Sequence, residues 1–152
     1  MEIVPIGTVR SSRTEVTDDD WDRETSRLVL DATVFGDEAL YGLDGFSHLE
    51  VVYYFDQVSD DRIERGARHP RNNPDWPLVG IFAQRGKNRP NRIGTTVSRI
   101  VAVDGSTVTV AGLDAVDGTP ILDIKPWMSE FGPRSRVHQP EWSTQLMVGY
   151  WG

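Results

Sequence analysis

Cysteine is absent from this 152-residue chain, and histidine occurs only three times, as His48, His69 and His138. The lack of cysteine excludes disulfides, a thiol nucleophile and thiolate-bound zinc or iron–sulfur centres. None of the histidines is within helical reach of another, and no histidine-clustered metal site is therefore expected. The sequence predicts a protein without a structural or catalytic metal.

Long apolar runs are also absent. No stretch approaches the roughly 20 apolar residues that a membrane-spanning helix needs. The opening residues 1–4 lack the basic start and apolar stretch of a secretory signal. We therefore expect no membrane association and a cytoplasmic location. The length favours a single domain that covers residues 1–152 and is large enough to bury a hydrophobic core without disulfides or bound metals.

Short strands separated by turns dominate the pattern. Strands are predicted over 3–10, 27–35, 46–55, 96–103, 106–112 and 121–125, and residues 46–55 carry apolar side chains at alternate positions. Asp104-Gly105 is typical of a type I′ hairpin turn. Helical turns are predicted only over 17–25, with Thr17 as a cap, and over 60–67. This pattern predicts an all-β fold, a small antiparallel barrel or sandwich with short helical turns.

Basic side chains are concentrated in one part of the chain. Residues 1–61 hold 4 basic and 15 acidic residues, whereas residues 62–92 hold 8 basic and 2 acidic ones, although the whole chain has a net charge of -7. One interpretation is a solvated loop that balances the acidic N-terminal part. The other interpretation is a binding site for a polyanion, because the local positive charge of residues 62–92 guides such a ligand more than the net charge of the whole chain does.

Two segments have unusual residue choices. Residues 80–94 place four cations within eight positions, before Pro90-Asn91 and Gly94, so a turn presents Arg85 and Arg89 on a fixed backbone. Residues 113–127 place Asp114, Asp117 and Asp123 around a Gly-Thr-Pro turn. The aspartates either cap backbone amides within the turn or bind a ligand, and their spacing does not match a calcium loop.

The two segments share an ordered series of residues with one family: Phe82, Arg85, Arg89-Pro90-Asn91, Ile93-Gly94, Leu113-Asp114, Asp117-Gly118-Thr119-Pro120 and Asp123-Ile124-Lys125-Pro126. The series resembles the TsaA-like (TrmO) family, and the likeness covers roughly residues 3–130, leaving residues 131–152 as a C-terminal extension. It implies a single-sheeted β-barrel that binds S-adenosylmethionine, commonly as a homodimer. It further implies N6-methylation of threonylcarbamoyladenosine in tRNA.

The resemblance also implies the residues of the site. By position in the family's motifs, the expected cofactor-binding residues are Arg85, Thr95, Asp114, Ala115, Val116, Asp117, Asp56, Gln57, Asp20 and Trp21. The expected RNA-binding residues are Arg71, Lys87, Arg89, Asn91 and Arg92. No obligatory catalytic base is expected, because methyl transfer from an activated donor mainly requires alignment.

Alternative functions stay open at this point. The barrel could bind S-adenosylmethionine as a sensor without transferring the methyl group, or it could methylate an acceptor other than tRNA. It could also be an RNA-binding module without a cofactor. The aromatic C-terminal residues Phe131, Trp142, Tyr150 and Trp151 are expected to pack on the barrel or on a partner subunit.

Overall fold

The computed structural model describes the whole chain, residues 1–152, and consists mainly of β-strands. The strands are β1 (Gly7–Arg10), β2 (Thr25–Leu30), β3 (His48–Tyr54), β4 (Ala67–Arg68), β5 (Val79–Gly80), β6 (Ile93–Asp104), β7 (Thr107–Ala111) and β8 (Pro120–Pro126). One α-helix, α1 (Glu141–Leu146), follows them. Short 3-10 turns cover Trp21–Arg23, Asp37–Leu40, Leu43–Gly45, Asp60–Arg62, Pro70–Asn72, Ile81–Ala83 and Ser129–Phe131.

Six strands form a closed antiparallel barrel in the order β1-β2-β7-β6-β3-β8, and β8 pairs with β1 to close it. Strands β4 and β5 form a separate two-stranded sheet within the basic region. The all-β barrel predicted from the sequence is therefore confirmed. No helix in the structure combines the length and the apolar character needed to cross a membrane.

The barrel interior follows the predicted alternation of side chains. In β3, Leu49, Val51 and Tyr53 are buried while the residues between them are partly exposed, and β7 buries Val108 and Val110 in the same way. Because successive side chains of a strand point to opposite faces, one set fills the core. The exterior of the same strands stays available to solvent or to partners.

The predicted strand over 27–35 is wrong at its C-terminal end. β2 stops at Leu30, because Asp31 accepts hydrogen bonds from the backbone N–H of Thr33 at 2.9 Å and from its hydroxyl at 2.6 Å. An aspartate that binds its own backbone two residues later offers the chain a turn in place of a strand. These bonds also lower the pKa of Asp31 below its usual value.

Other expected local structures differ in detail. The hairpin loop between β6 and β7 is Gly105-Ser106, and only Gly105 has positive φ, so the type I′ turn is wrong. The strand over 3–10 begins only at Gly7. The helical turns shrink to single 3-10 turns, and the Thr17 hydroxyl contacts Arg13 instead of capping a helix. Helix α1 was not predicted.

Glycine at position 94 lets an aromatic ring lie against the barrel wall. Tyr53 in β3 pairs directly with Gly94 in β6. A Cβ atom at position 94 would lie 2.5 Å from Cε2 of Tyr53 and 2.8 Å from Cζ of Phe55. The two rings pack edge to face, with centroids 5.4 Å apart. The missing side chain therefore fixes where the Tyr53 ring and its hydroxyl lie.

We expect Gly94→Ala to lower the free energy of unfolding by about 1–3 kcal/mol, because the added methyl group must displace Tyr53 and Phe55 from a packed core. Urea unfolding followed by tryptophan fluorescence measures the change. Gly45→Ala is the matched control, because no atom lies within 4 Å of the position that its Cβ would take. Equal stabilities of the two variants would contradict this role for Gly94.

Candidate functional site

Asp114 lies at one end of the barrel, where the chain leaves β7 through the buried residue Leu113. Its Oδ1 accepts a hydrogen bond from the Tyr53 hydroxyl at 2.8 Å and a second, very short one from the Thr96 hydroxyl. Its Oδ2 accepts a short hydrogen bond from the Tyr150 hydroxyl. Hydrogen bonds from hydroxyl groups replace the water that a half-buried carboxylate loses.

The two tyrosine hydroxyls at Asp114 are held in the protonated form. Burial, followed by the negative charge of Asp114, raises the pKa of Tyr53 well above its usual value. Burial and Asp114 likewise raise the pKa of Tyr150, while the positive charges of Arg85 and Arg71 oppose that rise. Both phenols therefore remain protonated hydrogen-bond donors at neutral pH.

Arg85 and Asp114 are brought together through two consecutive residues of β6. A guanidinium nitrogen of Arg85, Nη2, donates to the carbonyl oxygen of Thr95 at 2.8 Å, and the next residue, Thr96, binds Asp114. The Arg85 side chain is exposed, so its other N–H groups remain available. A cation and a carboxylate therefore lie near each other at the same end of the barrel.

Asp117 makes its contacts with the loop that follows β1. Its Oδ1 accepts from the backbone N–H of Ser11 at 3.0 Å, and its own N–H donates to the carbonyl of Arg13 at 2.8 Å. Ala115 and Val116, between the two aspartates, are buried. The amide-capping interpretation thus holds for Asp117. Any ligand contact of Ala115 or Val116 would come from the backbone, because their side chains are buried.

Asp20 and Trp21 lie beside the site, and both make structural contacts. Asp20 has a left-handed backbone with φ of 65°, a conformation that aspartate tolerates better than most residues. The indole of Trp21 is 4% exposed, and the guanidinium carbon of Arg13 lies 3.5 Å from its ring centroid. Asp56 and Gln57, by contrast, are both exposed, two and three residues beyond Tyr54, the last residue of β3.

Three of the five residues expected to bind RNA use their side chains in contacts with other parts of the same chain. Arg71 contacts Asp19 at 3.0 Å, Arg89 donates to the carbonyl of Gln84 at 2.9 Å, and Arg92 bonds Val58 and Asp60. Lys87 is half-buried and Asn91 is exposed. The internal bonds give the basic region a defined shape, while leaving some N–H groups of each guanidinium free.

Sequence reasoning missed three residues at Asp114, namely Tyr53, Thr96 and Tyr150. Tyr53 and Thr96 could have been found, because the alternation of β3 and β6 turns both side chains inward near the ends of paired strands. Tyr150 carried no positional signal beyond its place among the C-terminal aromatics. As expected for those aromatics, Tyr150 packs onto the barrel of its own chain.

Comparison with known proteins gives consistent results. Residues 17–132 match the family model described as "tRNA-methyltransferase O N-terminal domain". The tRNA (adenine(37)-N6)-methyltransferase of Homo sapiens is 33% identical over 104 residues, which are 68% of this chain and 23% of that protein. A "probable S-adenosyl-L-methionine-binding protein" of Archaeoglobus fulgidus is 30% identical over 131 residues, 85% of this chain and 34% of that protein.

A solved structure supports the same relationship. The crystal structure of TrmO from Pseudomonas aeruginosa superposes with a TM-score of 0.72 at 28% sequence identity, over 91% of this chain and 60% of that one. The present chain thus spans less than two thirds of the length of these relatives. The family match covers most of the chain and the fold agrees with the solved relative, so the chain belongs to the family of the tRNA-methyltransferase O N-terminal domain.

Proposed function

We propose that this protein is an S-adenosylmethionine-dependent methyltransferase that modifies the exocyclic N6 of threonylcarbamoyladenosine in tRNA. The observation that carries the proposal is the joining of Arg85 to Asp114 through Thr95 and Thr96 at one end of the barrel. Family membership supports the same activity, because relatives are named as tRNA (adenine(37)-N6)-methyltransferases. The exposed residues Asp56 and Gln57 form the rim of the proposed site.

The residues at this end of the barrel fit the chemistry of S-adenosylmethionine. Arg85 has free guanidinium N–H groups, which suit the carboxylate of the cofactor in a two-point contact. Asp114 keeps acceptor capacity on Oδ2, which suits a ribose hydroxyl or the ammonium group. The backbone of Gly94 and Thr95, next to the Thr96 that binds Asp114, is assigned to the adenine edge. When bound, the cofactor supplies a methyl group on a sulfonium that is already activated for displacement.

The residues of the chain then have mainly to bind and orient. Correct alignment of donor and acceptor can supply roughly 7–11 kcal/mol of barrier reduction, so no nucleophilic side chain is needed. The acceptor nitrogen loses its proton as it gains the methyl group, and solvent or a nearby carboxylate such as Asp56 can accept it. The raised pKa values of Tyr53 and Tyr150 keep both phenols protonated, so neither is available as a base for that proton.

The basic region between 62 and 92 provides the proposed contact with RNA. Lys87 and Asn91 would touch the phosphate backbone directly, while Arg71, Arg89 and Arg92 hold the loops in shape and offer their remaining N–H groups. Salt-sensitive binding is the expected signature of such contacts.

The protein is further proposed to act in the cytoplasm as a homodimer. Phe82 and Phe131 expose 78% and 81% of their surface, and Val97 and Val101 add apolar area on the outside of β6. Exposed apolar side chains of this size favour contact with a second subunit. Sedimentation equilibrium distinguishes such a pair from a 17.1 kDa monomer.

We expect Asp114→Asn and Arg85→Lys each to weaken S-adenosylmethionine binding by about tenfold or more, because each removes a charge-assisted hydrogen bond. Isothermal titration calorimetry measures the Kd. Asp44→Asn and Arg65→Lys are matched controls at exposed positions. An unchanged Kd in both site variants, with the wild type binding, would overturn this assignment of the site.

The acceptor is tested with methyl-labelled cofactor and two tRNA pools, one with threonylcarbamoyladenosine and one from cells that cannot make it. We expect label to enter only the first pool, and nucleoside mass spectrometry to find the methyl group on N6 of the modified base. Label in neither pool, despite tight cofactor binding, would instead support a sensor. Label in unmodified tRNA would contradict the threonylcarbamoyl requirement.

A further inference from the structure

The C-terminal segment 149–151 is attached to the barrel beside the proposed site. The backbone N–H groups of Asp20, Trp21 and Asp22 donate to the carbonyls of Gly149, Tyr150 and Trp151 at 3.0, 3.0 and 2.7 Å, respectively. These amides open a short 3-10 turn and would otherwise lack partners within it. The segment lies outside the residues that match the family model, which end at 132.

Contacts on both sides hold this segment in place. Trp21, which donates one of the three backbone bonds, is buried under Arg13. Upstream, Gln145 of α1 accepts from the indole N–H of Trp76 at 2.9 Å, which ties the helix to the basic region. Tyr150 and Trp151 pack edge to face, with centroids 4.9 Å apart. The position of the Tyr150 ring is therefore determined by the fold.

The Tyr150 hydroxyl leaves Asp114 with one free direction for a hydrogen bond. A carboxylate offers about four lone-pair positions, two on each oxygen. Oδ1 uses both on Tyr53 and Thr96, and Oδ2 uses one on Tyr150. One acceptor position on Oδ2 remains. A ligand donor that binds Asp114 must come from that direction unless it expels Tyr150.

Expulsion of Tyr150 is the less favourable outcome. Moving its side chain aside would break the hydrogen bond from its hydroxyl to the carboxylate and the edge-to-face contact of its ring with Trp151. A single new donor on Asp114 replaces only the first of these two contacts. The ligand is therefore expected to bind with Tyr150 in place.

We propose that Tyr150 is a positioning residue of the cofactor site. Its hydroxyl holds the Asp114 carboxylate in the orientation in which the free position of Oδ2 receives one donor from the cofactor. This inference rests on the proposed function, since it takes Asp114 as a residue that binds S-adenosylmethionine. It adds to the site a residue that the family match does not include.

The test uses Tyr150→Phe, which removes the hydroxyl but keeps the ring and the backbone bonds. We expect the Kd for S-adenosylmethionine to rise about five- to tenfold, because the Asp114 carboxylate is no longer held in the orientation that receives the cofactor donor. In methyl transfer, KM for the cofactor should rise while kcat at saturating cofactor stays unchanged. Tyr41→Phe is the matched control, because Tyr41 is 80% exposed and distant in sequence from every site residue.

A double-mutant cycle separates positioning from a general structural effect. In the Asp114→Asn background, Tyr150→Phe should cause little further loss of affinity, because the carboxylate that it positions is gone. An equal further loss in that background would overturn the inference, as would an unchanged affinity of Tyr150→Phe alone. Tighter binding would also overturn it, since Tyr150 would then occupy the position of the ligand. Failure of the wild type to bind would instead refute the proposed function.

Discussion

The hydrogen bonds to the Asp114 carboxylate connect three distant parts of the chain. Tyr53 comes from β3, Thr96 from β6 and Tyr150 from the C-terminal segment. A partly buried negative charge is costly without such donors, so the carboxylate and its partners must be kept together. Gly94 contributes by letting the Tyr53 ring lie against the barrel wall. The shape of the proposed site thus follows from the need to satisfy one charged group.

The barrel itself could be predicted from local pattern, because its strands alternate apolar and polar residues. Residues 46–55 show this most clearly, and β3 occupies most of that range with its odd-numbered side chains inside. The limits of the strands could not be predicted in the same way. Asp31 ends β2 by binding Thr33 two residues later, a local turn that competes with the extended strand which the alternating residues 27–35 also allow.

The resemblance to a family supplied the expected cofactor-binding residues, and their binding of a cofactor stays a prediction. In the structure Arg85 contacts Thr95, and the next residue, Thr96, contacts Asp114. The contacts of Asp117 and of the arginines in the basic region could not be predicted, because the sequence does not show which groups of the folded chain a charged side chain will contact. Asp117 meets the amide of Ser11, and Arg89 meets the carbonyl of Gln84. Tyr150 was missed because segment 149–151 reaches the site only through its backbone bonds to 20–22.

Closure of the barrel has a consequence for how the molecule folds. The closing pair joins Gly7 of β1 to Ile121 of β8, near the two ends of the barrel sequence. Pairing across so long a loop carries a large entropic cost before any contact compensates it, which slows the folding of β-rich topologies. During synthesis, β1 and β2 can form a hairpin early, but the edge of β1 stays unpaired until β8 has left the ribosome. The nascent chain therefore exposes a strand edge, a site of misassociation, until β8 has been synthesised.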